Sequence, residues 1–340
     1  MSKYRFFVGI DLSKATFDVS LRLDLKLAPM HQQFENSSKG FKAFFQWLKQ
    51  HQVSLADTLF LMEHTGIYGL KLCYFLEQNK LVYKLLNPLE LKKSLGIVRQ
   101  KTDQADAHQI SRYGYLHQEE IIPTRLPSAT LLHIKTLLTH RSSLIKQRTA
   151  IKNSLHRLKE VSKILDTALL NKQLKSQLKL LKEQVKEVEQ QLGQLLKSDK
   201  DIQANHQLLQ SIPGVGLLVA ATMLVTTNNF QSFDNGRQFA CYVGAAPFAH
   251  ISGSSIKGKT KVHPVANRQI KALLTNSAGT VIQHDEQMRN YYQRKLKEGK
   301  SKMSVLNAIR CKIINRIFAV IKRGTKYTKQ NNIDLMLNLT

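Results

Sequence analysis

Four carboxylates stand out in a chain that otherwise carries far more base than acid. Asp11 closes the apolar run "FFVGID", Glu63 closes "TLFLME", and Asp103 and Asp106 stand three apart in "KTDQADA". On a helix, residues three apart are neighbours, with Cβ atoms roughly 5–6 Å apart, so Asp103 and Asp106 share a face. Carboxylates at the ends of two strands, facing a helix that carries two more, can converge on one point. Four anions there repel one another and are costly to desolvate unless cations neutralise them. Such oxygen ligands suit Mg²⁺ or Mn²⁺, and two ions about 3.5–4 Å apart can clamp a phosphodiester. Each residue also has a plainer use. Asp11 before "LSK" can cap a turn, Glu63 can pair with a lysine, and Asp103 and Asp106 suit the positive end of a helix. Their occurrence together in one α/β segment favours the metal reading.

A second constellation lies in "YVGAAPFAHISGSSIKGKTKVHPVANRQIKALL", residues 242–274. A serine hydroxyl can attack a DNA phosphate and hold it covalently, which conserves bond energy for rejoining. Such a serine needs exposure, cations for the phosphate charge and a proton acceptor. Ser252 is followed by Lys257, Lys259 and Lys261, then by Arg268 and Lys271, and His250 precedes it by two residues. By residue type alone such a segment is more often a solvated or phosphate-gripping loop than a catalytic one, and Ser254 and Ser255 compete with Ser252. Upstream, "SIPGVG" places Gly214 and Gly216 before an apolar helix. That turn can offer backbone N–H groups to a phosphate, or it can simply join two core helices.

The elements that must position these residues follow from periodicity. Residues 4–27 read as two strands, the second with Phe17, Val19, Leu21 and Leu23 inward. Residues 37–51 read as an amphipathic helix bearing Phe41, Phe44, Phe45 and Leu48. A buried strand then ends at Glu63, followed by a helix over 68–80 and a strand in "LVYKLLNP". Strands alternating with helices imply an α/β domain over 1–125 with a mixed sheet. "PTRLPS" is a linker. Over 126–204 a heptad seam runs through Leu174, Leu178, Leu181, Val185, Val188, Leu192 and Leu195, which suits either an intramolecular helical hairpin or a dimerising coiled coil. A mostly helical segment over 205–327 is broken by a Gly/Ser/Lys loop over 244–264, and 328–340 reads as a frayed tail.

The chain of 340 residues has a formal net charge of +27, which favours a polyanionic partner, most simply nucleic acid. Acid concentrates at the front: residues 1–125 carry 17 Lys/Arg against 12 Asp/Glu, while residues 205–340 carry 19 against 5. Cys73, Cys241 and Cys311 are too scattered for a zinc site or a disulfide framework and fit a reducing cytoplasm. No apolar run approaches a membrane span, and Asp11 interrupts the place where a secretion signal needs its apolar core.

In their order and spacing "VGIDLSK", "MEHTG" and "KTDQADA" resemble the N-terminal domain of the DEDD-type insertion-sequence transposases, the IS-one-ten family, a pattern shared by pilin-gene DNA invertases. The C-terminal segment resembles that family's transposase domain through Gly244 to Pro247, the Ser-Gly at Ser252, the basic stretch and Arg268 to Leu274. Ala245 replaces a common leucine. The resemblance covers nearly the whole chain, with the helical middle matching only in character. It implies an RNase-H-like fold, similar to Holliday-junction resolvases, for the first domain. It implies that Asp11, Glu63, Asp103 and Asp106 are the Mg²⁺-binding tetrad and Ser252 the nucleophile. It further implies double-stranded DNA as substrate, a structured guide RNA, a homo-oligomer that is a tetramer in the family, and a bacterial-type cytoplasm in contact with the nucleoid. Two rivals remain at this stage. One is a junction nuclease, or an invertase that reads DNA by protein alone. The other is a basic structural binder whose acids are caps and ion pairs.

Overall fold

The computed structural model describes residues 3–64, 66–94, 102–252, 256–262 and 266–328, with 249–252 and 256–261 described as backbone only. The chain divides into two compact units, Met1–Leu126 and Pro127–Thr340, whose boundary falls inside "PTRLPS".

The first unit comprises β1 (Phe6–Leu12), β2 (Thr16–Arg22), β3 (Met30–Glu35), α1 (Ser38–Gln50), β4 (Thr58–Glu63), α2 (Leu70–Gln78), β5 (Tyr83–Leu86), α3 (Pro88–Ser94) and α4 (Asp103–His117). The sheet order is β3-β2-β1-β4-β5. β1 is antiparallel to β2 and parallel to β4, so the chain ends of β1 and β4 lie side by side. Alternation along β1 explains why both faces are covered. Phe6, Val8, Ile10 and Leu12 join Phe17, Val19 and Leu21 against Phe41, Phe44 and Leu48 of α1 and Leu72 and Leu76 of α2. On the other face, Phe7, Leu59 and Leu61 cluster with Leu91, Ile110 and Tyr113. Each such fully buried side chain contributes about 1.5–3 kcal/mol relative to exposure.

Two departures from periodicity have clear causes. β3, "MHQQFE", is an edge strand with only Met30 and Phe34 turned to the core, so it lacks an apolar signature. Leu23, expected inward, is 37% exposed because β2 ends at Arg22.

The second unit opens with α5 (Ala129–Val161) and α6 (Ala168–Ser198), which pack against each other, followed by α7 (Lys200–Gln210), α8 (Leu217–Thr226) and α9 (Gly236–Tyr242). Then come β6 (Pro247–Ser252), β7 (Ile256–Val262), α10 (Arg268–His284), α11 (Glu286–Lys297) and α12 (Lys302–Arg323). Of the heptad seam, Leu181, Val185, Val188 and Leu192 are buried in the chain's own core, with Leu131, Ile134, Leu137 and Leu144 of α5 in the same cluster. The helices therefore form an intramolecular hairpin. Around its tip, Val161, Ile164, Leu165, Leu169 and Leu170 are exposed. The core continues through Leu209, Ala220, Leu224, Phe239, Leu274, Ile309, Ile313 and Ile317. A buried ion pair ties α12 to the start of α11: Arg316 donates to Asp285 at 2.7 Å. Asp285 also accepts from the Met288 N–H.

The stretch read from sequence as a loop over 244–264 contains the antiparallel ribbon β6–β7. A register shift between Phe248 and His250 interrupts the period-two pattern that would have announced a strand.

Candidate metal centre and serine hairpin

Asp11 lies near the end of β1 and Glu63 at the end of β4. Ile10 pairs with Met62, and Phe6, Val8, Ile10 and Met62 all face the α1 side. Asp11 and Glu63, one residue further along these parallel strands, therefore share the opposite face, the one covered by α4. The first turn of α4 supplies Asp103 and Asp106, with Thr102 capping it through its hydroxyl to the Ala105 N–H at 3.1 Å.

What brings α4 close is Gly9. A Cβ at this position would overlap the Ala107 carbonyl oxygen and the Ser111 nitrogen, and would stand 2.9 Å from Ser111 Cα. The helix rests directly on β1, which only glycine permits. Buried Ser20 and Ser111 pin it further, with hydroxyls 2.9 Å apart.

The electrostatics at Asp11 register the convergence. Burial, then Asp106, then Asp103, and last Glu63 raise its carboxyl from the ordinary 3.8 to about 6, against a lowering contact from the Leu12 N–H. All three other carboxylates thus lie within electrostatic reach of Asp11. Among the described residues, Asp11, Glu63 and Asp103 have no Lys, Arg or His ion-pair partner, and no three His, Cys, Asp or Glu stand close enough together to hold one ion. The donor set is hard and anionic, which suits a divalent cation able to draw the carboxylates together.

A neighbouring polar group escaped the sequence reading. Asp18 is the cross-strand partner of Asp11 and is buried. Its two oxygens accept from His31 Nε2 at 2.8 Å and Gln33 Nε2 at 2.9 Å. His108, two residues after Asp106, meets the His31 ring edge-to-face at 6.0 Å. Burial, then His31 and Arg22, lower its pKa. Asp18, Ser20 and Arg22 alternate with apolar residues and look like a solvated face. Only the close approach of α4 buries them.

In the second unit, Ser252 ends β6 and pairs in register with Ile256, at the turn end of the ribbon. Lys257, Lys259 and Lys261 all lie on the returning strand β7. Ser254 and Ser255 fall outside the described residues. Gly244, at φ +66, turns the chain toward the ribbon in the left-handed region that favours glycine. Arg268 and Lys271 occupy the first turn of α10. Gly214 is packed against α10, where its carbonyl accepts from the Ser277 hydroxyl at 2.5 Å, whereas Gly216 lies open at the start of α8.

Two family models match the chain and together span more than two thirds of it. One, a DEDD-type IS110 transposase model, covers residues 8–161; the other, described as "Transposase IS116/IS110/IS902 family", covers residues 206–293. The chain belongs to the IS110 family of transposases. Its relatives include a "Pilin gene-inverting protein" of Moraxella bovis, 26% identical over 95% of this chain and 98% of the relative. They also include the "Insertion element IS110 uncharacterized 43.6 kDa protein" of Streptomyces coelicolor, 34% identical over 45% of this chain and 37% of the relative. The IS110-family chain is thus a DNA recombinase. Among its described residues, no helix is long and apolar enough to cross a membrane.

Proposed function

We propose that this IS110-family enzyme cuts and rejoins double-stranded DNA through a phosphoserine intermediate, using the carboxylates of its first unit and Ser252 of its second. The observation that carries the reading is the placement of Asp11 and Glu63 on the sheet face covered by α4, whose first turn bears Asp103 and Asp106, with all three other carboxylates raising the Asp11 carboxyl. All four residues lie within the stretch 8–161 matched by the DEDD-type family model, and their order Asp, Glu, Asp, Asp agrees with its name, which supports the reading. The sheet order β3-β2-β1-β4-β5, with one antiparallel meander and two parallel strands, supports an RNase-H-like reading of the first unit.

Asp11, Glu63, Asp103 and Asp106 would hold Mg²⁺ or Mn²⁺. Bound there, the metal neutralises phosphate charge and polarises a phosphodiester. The chain's own work is then positional. Gly9 lets α4 bring Asp103 and Asp106 down to Asp11. The ribbon carries Ser252 at its turn, where its Oγ forms a bond to phosphorus as the bond to one deoxyribose oxygen breaks. The departing oxygen takes up a proton and is left as a free hydroxyl, and reversal against a different strand completes exchange. The lysines of β7, with Arg268 and Lys271, would answer phosphate charge, and the turn at Gly214 and Gly216 would offer backbone N–H groups to it.

The +27 charge supports a second polyanion, the structured guide RNA implied by the resemblance; base pairing then reads sequence while the protein reads backbone. The exposed apolar residues of the α5–α6 tip support homo-oligomerisation, in the family a tetramer, with the hairpin as its contact. In that assembly the carboxylates of one subunit would work with the serine of another. The domain plan follows: catalytic 1–125, oligomerising 126–204, serine-bearing 205–327, in a protein of the cytoplasm acting at the nucleoid. Transposition and inversion use the same chemistry. The alignment with the pilin gene-inverting proteins over nearly their full length favours keeping inversion as a second reading.

A plasmid recombination assay tests the proposal. Asp11→Asn, Glu63→Gln, Asp103→Asn and Asp106→Asn should each abolish product while leaving a folded protein, and EDTA should do the same to the unaltered chain. Full activity in EDTA would overturn the metal assignment. Full activity on naked DNA after RNase treatment would overturn RNA guidance and favour the protein-read invertase.

A further inference from the structure

α12 carries two buried arginines with opposite circumstances. Arg316 is neutralised by Asp285 at 2.7 Å. Arg310, only 3% exposed, has no carboxylate partner among the described residues. Its Nε donates to Thr275 Oγ1 at 3.1 Å and its Nη1 to Asn307 Oδ1 at 2.9 Å, both neutral acceptors. Among the described residues Nη2 has no hydrogen-bond partner. A guanidinium so largely removed from water, with no carboxylate beside it among the described residues, is unfavourable, and its unpartnered Nη2 is not fully buried, so an anion from outside the chain can reach it.

The surroundings say which anion. Thr275 donates in turn to the Lys271 carbonyl one helical turn earlier, so Arg310 lies against the stretch of α10 that bears Lys271. Burial, and then the nearby Arg310, lower the Lys271 pKa. Two cations thus crowd one place, and among the described residues no carboxylate pairs with either. Asn307, which receives Arg310, donates its own Nδ2 to the Ala245 carbonyl at 2.6 Å, and Cys311 Sγ lies 3.4 Å from the same oxygen. Ala245 lies two residues before β6 begins, in the stretch that leads to Ser252. The cations therefore stand at the foot of the serine ribbon.

We propose that Arg310 and Lys271 form a recess at the base of the serine ribbon that takes one backbone phosphodiester of the DNA. Arg310 contributes a fixed planar fork, oriented beforehand by Thr275 and Asn307, and Lys271 a mobile charge at the rim. The phosphate bound there is also coupled to the ribbon through Asn307, so that DNA binding stiffens the base from which Ser252 is presented. The inference rests on the recombinase reading for the identity of the ligand and is independent of which serine attacks.

The test is the affinity of full-length Ser252→Ala protein, which forms no Ser252 adduct, for a short labelled DNA duplex of arbitrary sequence over a range of salt. In this background, Lys271→Met and Arg310→Met should each weaken binding about tenfold at moderate salt and flatten the slope of log K against log salt by about 0.9. The double variant should flatten it by about the same single step, because both cations serve one phosphate. Arg310→Lys should keep the slope, and Lys297→Met, on α11, should change nothing. Because Arg310→Met could unsettle the ribbon, Lys271→Met, which leaves Asn307 untouched, is decisive. An unchanged slope in Lys271→Met, or a loss of affinity in Arg310→Met alone, would overturn the recess and leave Arg310 a purely structural residue. The Ser252 chemistry could still hold in that case, since adduct formation is measured separately.

Discussion

Asp11→Asn should make the metal-free protein more stable while destroying its activity. The carboxyl is lifted from 3.8 to about 6 by burial and by three like charges. A raised carboxyl binds its proton more tightly in the folded chain than in the unfolded one. Below about pH 3.8 both states are protonated and Asp11 contributes nothing. Between 3.8 and about 6 the unfolded chain ionises first, so a penalty grows, and above 6 it is complete. At about 1.4 kcal/mol per pH unit the ceiling is about 3 kcal/mol. Because Asp11 is only half-buried, solvent screening reduces this to roughly 1 kcal/mol. Asparagine keeps an oxygen for the Leu12 N–H and removes the charge. The assay is thermal unfolding followed by the fluorescence of Trp47, the chain's one tryptophan, which lies in the first unit beside Phe34. At pH 7.5 without divalent metal, Asp11→Asn should melt roughly 3–5 °C higher, and the gain should vanish near pH 4. Mg²⁺ should raise the melting temperature of the unaltered chain at pH 7.5 and do less for the variant. A variant that melts lower at pH 7.5, or whose gain is equal at pH 4, would refute the crowding of charge at this point.

Two further outcomes follow. Gly9→Ala should push α4 off β1, lowering stability by about 1–3 kcal/mol and recombination by more, because Asp103 and Asp106 ride on that helix; chemical denaturation against plasmid recombination separates the two effects. Inactive Ser252→Ala and inactive Asp11→Asn proteins, refolded together, should regain part of the activity if the serine of one subunit meets the carboxylates of another. No rescue with demonstrated subunit exchange would place both halves in one chain.

The carboxylates were legible because each ends or begins a strongly patterned element. β1 and β4 are apolar runs terminated by an acid, and α4 opens with Thr102, Asp103 and Asp106 where caps and charges are favourable. The α1 face, with Phe41, Phe44 and Leu48, was equally plain. β3 was not, because an edge strand buries too little to need an apolar pattern. The β6–β7 ribbon was hidden by its irregular register. The heptad in α6 was visible, but a seam does not state whether its partner is in the same chain; α5 supplied it. The polar features were the least legible. Asp18 with His31, Gly9 beneath Ala107, and the uncompensated Arg310 depend on residues brought together from distant parts of the chain, and no local periodicity reports such a meeting. The roles assigned to Ser252 and to the basic residues rest on residue chemistry and family resemblance, with the ribbon giving them a common frame.

The central claim is that strand exchange passes through a covalent bond between DNA and Ser252. The most direct measurement is to stop a Mg²⁺-supported reaction with denaturant, digest the protein and DNA, and locate any nucleotide-bearing peptide by mass spectrometry. The account predicts a nucleotide-phosphate attached to the peptide containing Ser252, absent in EDTA, absent in Asp103→Asn and absent in Ser252→Ala. Recombination that proceeds normally in Ser252→Ala, or an adduct mapped to Ser254 or Ser255, would contradict it.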